Sequence, residues 1–363
     1  MNGSLEEIRQ EMEVIAEKAY GHYNQQQIEE ALCLYRRAYD AAIIIEDHEK
    51  RIKYKQWEGH CLYHLGRFRE ALSVLISLSQ TECVVPQEYL SGMIDQIDIA
   101  IKLPIELHKI RNLIHEAYNI MRQHSLQSSK SMILIEESIL ANMRYDYTLA
   151  LDKAQEALAC HDHGAKLRCD KLVYYRSIMD NLLSLDRINE LKEWLVQLQE
   201  LDTVRVISKE LVLLGFQTEI AIIEGRYIEA YNLAKQRLSR ELETDSDCFV
   251  SIRLVVRAGI TAGKLNEIKN YFIKMLSLRH TKCRNWKYQI RLYLGDYSIA
   301  LYQQERNKTQ HSYKQLRKYW KLADKFYQQA LCIGKVLDDL FDCDGRQKEI
   351  SKRLAALMVN KME

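Results

Sequence analysis

The chain has 363 residues, 47% of them apolar and 28% charged, which is enough to bury a sizeable core. Its 52 basic and 50 acidic residues nearly cancel, and a formal charge of +2 by itself points to neither nucleic acid nor membrane. Two prolines and 13 glycines are too few for the turns of a sandwich or barrel of this length, so the expected class is all-α. Nine cysteines (33, 61, 83, 160, 169, 248, 283, 332 and 343) include no CxxC pair, and the first stretch, MNGSLEEIRQEMEV, has no apolar signal core. Both observations imply a reducing cytoplasm. No apolar run approaches the roughly 18 residues of a membrane span, so no membrane is expected as a partner.

Taken in chain order, one pattern returns. Ile28, Ala31, Tyr35 and Ala38 form an apolar stripe at helical spacing. Gly59 then opens GHCLYHLGRFREALSVLISL, in which Gly66 stops one helix and Phe68, Ala71, Leu75 and Leu78 line the next. Leu107, Ile110, Ile114 and Ala117 follow, with Pro104 in the preceding turn. The stripe returns as Tyr147, Ala150, Ala154 and Ala157, then as Ile188, Leu191, Leu195 and Leu198. It continues as Tyr227, Ala230 and Ala234 behind Gly225, and as Leu265, Ile268, Phe272 and Met275 behind Gly263. Ala323 marks a last member, and Gln347 to Met362 carries Ile350, Leu354, Leu357 and Met358 on one face after the breaker Asp344-Gly345.

Counted from the residue where two helices of a pair cross, the series runs Ala31, Ala71, Ile110, Ala150, Leu191, Ala230, Ile268 and Ala323. The steps are 40, 39, 40, 41, 39, 38 and 55, and the last marks an insertion near Gln303 to Gln315. Ile110 was placed by the count alone and proved to head a helical stripe. This pattern of a small residue in helix A, Gly at the turn, an aromatic entering helix B and a small crossing residue resembles the tetratricopeptide repeat. The resemblance implies a right-handed α-α superhelix of about eight helix pairs. Residues 1–275 form the repeats, 276–346 a basic, elongated last repeat, and 347–363 a capping helix. The alanines, leucines and tyrosines of the stripes are then core, buried by stacking on neighbouring pairs.

Catalytic patterns are missing: there is no GxGxxG, GK[ST], GxSxG or HExxH, so neither an enzyme nor a cofactor is expected. Three groups of metal-ligand types are each better read as structure. Cys160-His161-Asp162-His163-Gly164 falls where a polar loop should follow a B helix; His60 and His64 stand at i, i+4 without an identifiable third ligand. Asp338, Asp339, Asp342 and Asp344 lack the spacing of a calcium loop and read as a solvated helix end.

The repeat family presents a concave groove lined by its A helices, where side chains precede the crossing residue by eighteen, fifteen, eleven, eight and seven positions. Carried onto this chain, the register points inward Tyr20, Tyr23 and Asn24, then Lys53, Gln56, His60, Tyr63 and His64. Asn142, Arg176, Asp180, Glu219, Arg253 and Arg257 follow in later units. An inward Asn can exchange two hydrogen bonds with a peptide amide, and Arg can fork onto a carboxylate. Arg253 and Arg257, one turn apart, would share an anion unless Glu219 pairs with them. At whole-chain level, the length, period and number of repeats resemble the intracellular peptide-pheromone receptors of Gram-positive bacteria and their phages. Only about ten residues precede the first repeat helix, which leaves no room for that group's DNA-reading or three-helix output module.

Between Lys274 and Lys335, fourteen Lys or Arg face three acids, a local charge of +11 against −9 for the remainder. Here Arg284, Lys287, Arg291, Lys314, Arg317, Lys318, Lys321 and Lys325 interleave with Trp286, Tyr288, Tyr313, Tyr319 and Trp320. Such interleaving fits an acidic protein or nucleic acid, and also a mere intramolecular balance of charge. Two functions therefore stand: an adaptor or peptide-responsive regulator binding a protein or peptide in the groove, or a complex subunit binding a polyanion through the basic segment. A homo-oligomer is compatible with either.

Overall fold

The computed structural model describes residues 2–79, 86–103, 105–162, 170–203, 206–244, 248–277 and 284–362. Cys83, Pro104, His163, Gly164, Cys169, Cys283 and the side chains of Asp162 and Arg284 lie outside that description. Among the described residues the chain forms seventeen α-helices: α1 (Asn2–Asn24), α2 (Ile28–Ile44), α3 (His48–His64), α4 (Phe68–Ser79), α5 (Pro86–Lys102), α6 (Leu107–Gln123), α7 (Lys130–Met143), α8 (Tyr147–Asp162), α9 (Leu172–Ser184), α10 (Ile188–Glu200), α11 (Val206–Ile223), α12 (Tyr227–Glu241), α13 (Phe249–Thr261), α14 (Leu265–Ser277), α15 (Arg284–Arg306), α16 (Tyr313–Phe341) and α17 (Gly345–Met362). Odd-numbered helices up to α15 are the A helices and even-numbered ones the B helices. The result is an all-α solenoid of adjacent helix pairs with a terminal helix, as the counted period implies.

The stacking physics is visible at the crossing residues. Ala31, Ala71, Ile110, Ala150, Leu191, Ala230, Ile268 and Ala323 are all fully buried. The first seven sit at the fourth position of their B helices. By that same register the last B helix is headed by Leu316, with Ala323 two turns further in. The extra length of the last pair is taken up largely as helix: α15 has 23 residues and α16 has 29. The first repeat helix, α1, begins at Asn2, so the first ten or so residues expected ahead of it belong to that helix.

The turn from A to B helix is one recurring device. Two residues before the B helix, the chain takes a left-handed conformation at Gln26, Gly66, Tyr145, Asp186, Gly225 and Gly263. The next N–H then reaches back to the carbonyl five residues earlier, as Arg67 to Leu62, Arg187 to Leu182 and Lys264 to Gly259, at 2.8–3.0 Å. This closes the A helix and satisfies carbonyls that would otherwise lack partners. Gly carries the conformation at no steric cost in three of the turns; Gln26, Tyr145 and Asp186 adopt it against the usual preference.

The chain divides into two compact units, residues 1–142 with 146–212 and 240–246, and residues 143–145 with 213–239 and 247–363. The first unit holds an aromatic core at its start, where Tyr35 stacks on Trp57 with centroids 5.2 Å apart and Tyr23 meets the Trp57 ring edge-on at 5.1 Å. In the second unit Phe249 stacks on Trp286 at 4.0 Å. There too the capping helix α17 is tied down by polar contacts. Tyr288 donates to Glu349 at 2.8 Å, Tyr327 donates to Asp296 at 2.8 Å, and Arg353 pairs with both Asp296 and Glu349.

Asp338 corrects the expectation of a solvated helix end. Its side chain is 0% exposed and pairs at 3.1 Å with Arg346, itself 3% exposed. It also accepts from the Gln347 N–H at 2.9 Å, so it caps the first turn of α17. A lone buried charge would be costly; a paired and hydrogen-bonded one is tolerated, and this one fixes where α17 begins.

Close approach gives a test of opposite signs. A Cβ built on Gly259 would run into Ile268, the crossing residue of the same pair, and would touch Tyr231 at 3.2 Å. Gly21 in α1 has nothing within 4 Å of its Cβ position. Gly259→Ala is expected to lower the unfolding free energy by about 1–3 kcal/mol, while Gly21→Ala raises it by about 0.5–1 kcal/mol through helix propensity. Urea denaturation followed by circular dichroism reads both.

Candidate functional site

The candidate site is the face of the A helices left free by their B partners. Its side chains recur at the repeat spacing, so a residue on one A helix meets its counterpart on the next. In the first unit Tyr23 donates or accepts at 2.7 Å with His64 Nε2, and the exposed Tyr20 packs edge-on against Trp57 at 5.6 Å. His60 Nε2 lies 3.0 Å from Asp95 Oδ2. Lys102 donates to the Tyr63 hydroxyl and sits 4.4 Å from the centroid of that ring. Gln56 is buried; its amide donates to Glu88 Oε2 at 3.0 Å and accepts from the Gly92 N–H and the Ser91 hydroxyl.

Further along, Asn142 donates to Asn181 Oδ1 at 2.7 Å, Asn181 donates to Ser138, and Ser138 and Ser177 share a bond of 3.0 Å. The carboxamide oxygen of Asn24 is buried without a hydrogen-bond partner. Arg176 and Asp180 are exposed and stand 3.7 Å apart on one turn of α9. Lys53 is half-buried.

In the second unit Arg257 pairs backward with Glu219 on α11 at 2.6 Å, and Arg253 reaches forward to Gln289 Oε1 on α15 at 3.2 Å. The two guanidinium groups therefore have separate partners on neighbouring helices, and the expected influence of Glu219 falls on Arg257. Each retains donors beyond the one used, since a guanidinium carries five N–H groups.

His60 and His64 turn to different partners, Asp95 and Tyr23, so the i, i+4 spacing does not bring them to a common point. No group of three or more His, Cys, Asp or Glu among the described residues is placed to hold a metal ion. The described cysteines, Cys33, Cys61, Cys160, Cys248, Cys332 and Cys343, are free thiols, and burial pushes the Cys61 thiol up to about 12, which makes it unreactive.

The basic residues form a separate surface. Lys314, Arg317, Lys318, Lys321 and Lys325 are exposed along one stripe of α16 and line a shallow depression with Leu322. None of the five forms an ion pair with another described residue. Lys287 is exposed on α15, and Arg291 lines a second depression with Gln328, Gln329, Cys332 and Ile333.

Four groups on the A face were not singled out from the sequence: Asp95, Asp98, Lys102 and Glu136. Asp95 and Lys102 stand fifteen and eight positions before Ile110, so the same register applied to the third unit finds them. Asp98 and Glu136 fall one position off that register. The signal for Glu136 is different: it interrupts Met132-Ile133-Leu134-Ile135, an apolar run in a helix buried on most sides.

Comparison with known proteins adds the fold. No family model matches the chain, and no curated protein sequence matches it either. Among solved structures, the APC/C hetero-tetramer Cut9-Hcn1 is similar at a TM-score of 0.54, with 14% identity over 90% of this chain and 54% of that one. This chain thus spans about half the length of that neighbour. The TPR domain of P58(IPK) aligns over 88% of this chain and 99% of its own at 15% identity, with a TM-score of 0.25. At 14% identity the likeness to Cut9-Hcn1 is one of architecture alone, that of a tetratricopeptide-like α-solenoid. No helix among the described residues is long and apolar enough to cross a membrane.

The acidic groups of the A face predict a pH dependence. Burial, then the charge of Asp95, pushes the Asp98 carboxyl up to about 7, and burial with the charges of Asp98 and Asp95 raises Glu136. A raised carboxyl binds its proton more tightly in the folded chain than in the unfolded one, where an Asp titrates near about 3.9. These groups therefore favour folding at low pH and lose that contribution as pH rises from about 4 to about 7. Asp98→Asn should flatten this loss, gaining on the parent by at most about 1.4 kcal/mol per pH unit across the window. Urea midpoints of both proteins measured from pH 4.5 to 8 check it; parallel curves would contradict it.

Proposed function

We propose that the chain is a non-enzymatic, protein- or peptide-binding repeat protein that takes its partner along the A-helix face. The observation that supports this best is the mixture found there. Aromatic and charged side chains, among them Tyr20, His64, Arg176 and Asp180, stay exposed on a face whose neighbouring positions are locked by bonds from one repeat to the next. Side chains held in place by such bonds lose little freedom on binding, which is how a repeat face gains affinity. Tyr20, Tyr23, Asn24, Lys53, Gln56, His60, Tyr63, His64, Asn142, Arg176, Asp180, Arg253 and Arg257 are the proposed contact residues. Asn24, with its buried unpaired oxygen, is the member best placed to accept an N–H from an extended peptide. In the form suggested by the likeness to peptide-pheromone receptors, the partner is a short peptide and the chain is a cytoplasmic regulator.

Selection of random octapeptides against the full chain tests the reading. Binders are expected, and replacing Tyr20 and His64 together by Ala should weaken them at least tenfold, as loss of interface anchors does. Failure to recover any saturable binder, with the helical spectrum intact, would overturn it.

The basic stripe of α16 supports a second reading: a surface for an acidic protein or nucleic acid. Five exposed cations without an ion-pair partner among the described residues repel one another, and a polyanion would relieve that repulsion. Fluorescence anisotropy with labelled single-stranded RNA and with polyglutamate, between 50 and 200 mM salt, reads it. Several phosphate contacts would cost orders of magnitude in affinity over that range. Reversing Lys314, Arg317, Lys318 and Lys321 to Glu should abolish such binding while octapeptide binding persists. If neither probe binds the parent protein, the stripe is a solvated face.

A further inference from the structure

The A face of α3, α5 and α7, all within the first unit, gathers more negative charge than it neutralises. From α5 come Asp95, Asp98 and Lys102; from α3, His60 and Tyr63; from α7, Glu136. Lys102 pairs with Asp98 and is hydrogen-bonded to the Tyr63 hydroxyl, and His60 is 3.0 Å from Asp95. Glu136 is only 6% exposed, and its Oε2 has no hydrogen-bond partner. Glu136 on α7 follows Asp98 on α5 by 38 residues, the spacing at which Arg257 meets Glu219 on neighbouring A helices, so the register stacks it on Asp98; the charges of Asp98 and Asp95, opposed by Lys102, raise its carboxyl. Arg176 of α9 adds a more distant positive charge acting on Asp98. The cluster thus holds three carboxyls to one ammonium, which pairs with Asp98, and the Oε2 of Glu136 is left without a hydrogen-bond partner.

A buried carboxyl without a partner is costly whether it is charged or neutral, because even the protonated form keeps polar atoms that want bonds. The missing element is a cation that brings its own donors. A metal ion does not suit the spacing, since no three ligands of the right type converge among the described residues. A guanidinium or an alkylammonium does: its several N–H groups can reach carboxylates on two helices, and its apolar stem can lie against the Tyr63 ring. The side chains of His60 and Lys102 beside these carboxyls are about a third exposed, so the cluster borders on solvent at the A face.

We propose that Glu136 and Asp98, with Tyr63 beside them, form a subsite for one basic side chain, Arg or Lys, of the bound partner. The proposal rests on the peptide-binding reading above and names the chemistry of what that face prefers. It adds Asp98 and Glu136, which neither the repeat register nor the exposed residues had assigned.

Two arms keep the inference and the reading apart. In the first, saturation-transfer NMR on the full chain at pH 7.5 compares N-acetylarginine amide and N-acetyllysine amide with N-acetylcitrulline amide, the uncharged isostere of the arginine derivative. The basic derivatives should bind at least tenfold more tightly than the citrulline one, and Glu136→Gln or Asp98→Asn should each remove that preference. Equal binding of citrulline, no binding of either basic derivative, or an unchanged preference in folded variants would overturn the subsite. If Glu136→Gln does not fold, Asp98→Asn and the citrulline comparison decide. In the second arm, the octapeptides selected above are sequenced. Enrichment of Lys or Arg at one position, lost when the selection is repeated on Asp98→Asn, supports the subsite. Binders without that enrichment overturn it and leave the peptide-binding reading standing. If no octapeptide is recovered while the arginine derivative binds at these carboxyls, the subsite holds and the peptide reading falls.

Discussion

Everything in this chain depends on one steric constraint: every 38 to 41 residues, over the first seven pairs, a B helix must pass close to its A helix with a fully buried residue at the crossing. An isolated pair of such helices, 12 to 23 residues long, would be marginal, because its two apolar stripes cannot both be covered from within. Within each unit, stacking the next pair covers the exposed stripe. Polar contacts also hold α17 to the helices before it. Asp338 pairs with Arg346, Asp296 pairs with Arg353, and Tyr327 donates to Asp296.

The same constraint explains what could be read from the sequence. A residue that must be fully buried at a fixed interval leaves a period, and a period survives where individual motifs fail. Ile110 and Leu191 match no small-residue motif, yet both are buried at the fourth position of their B helices. The turns were less legible. Gly66, Gly225 and Gly263 announce their left-handed conformation by residue type, whereas Gln26, Tyr145 and Asp186 take it because the flanking helices leave no other route. The long last step of the count marks extra residues near Gln303 to Gln315, but a count does not say what form they take: α15 has 23 residues and α16 has 29, joined by residues 307–312.

The face that carries the candidate site was legible only to the depth of a register. Position relative to the crossing residue places a side chain on the correct side of an A helix but does not reveal what it meets. Asn142 finds Asn181 and Arg257 finds Glu219, each on the neighbouring repeat, because equivalent positions are stacked 38 or 39 residues apart. Bonds of this kind require two backbones to be placed at once, which no local pattern encodes. Buried charge was the second blind spot. Asp338 lies in a run of aspartates that looks like a wet helix end, and only the return of α17 brings Arg346 against it.

Those bonds between repeats also narrow what remains for a partner. A polar group already satisfied by its neighbour offers a ligand little, because a new bond must replace an old one. What a partner can exploit is the imbalance left when the stacked positions do not match. On α16 the imbalance is positive: five cations along one exposed stripe, none in an ion pair with another described residue. On α5 and α7 it is negative and half-buried, with Asp98 and Glu136 outnumbering Lys102. An exposed excess is screened by salt and selects partners mainly by long-range attraction, whereas a half-buried one is screened less and selects by fit. The two surfaces therefore differ in kind: the basic one lies open to solvent, and the acidic one is shielded by the helices that carry it.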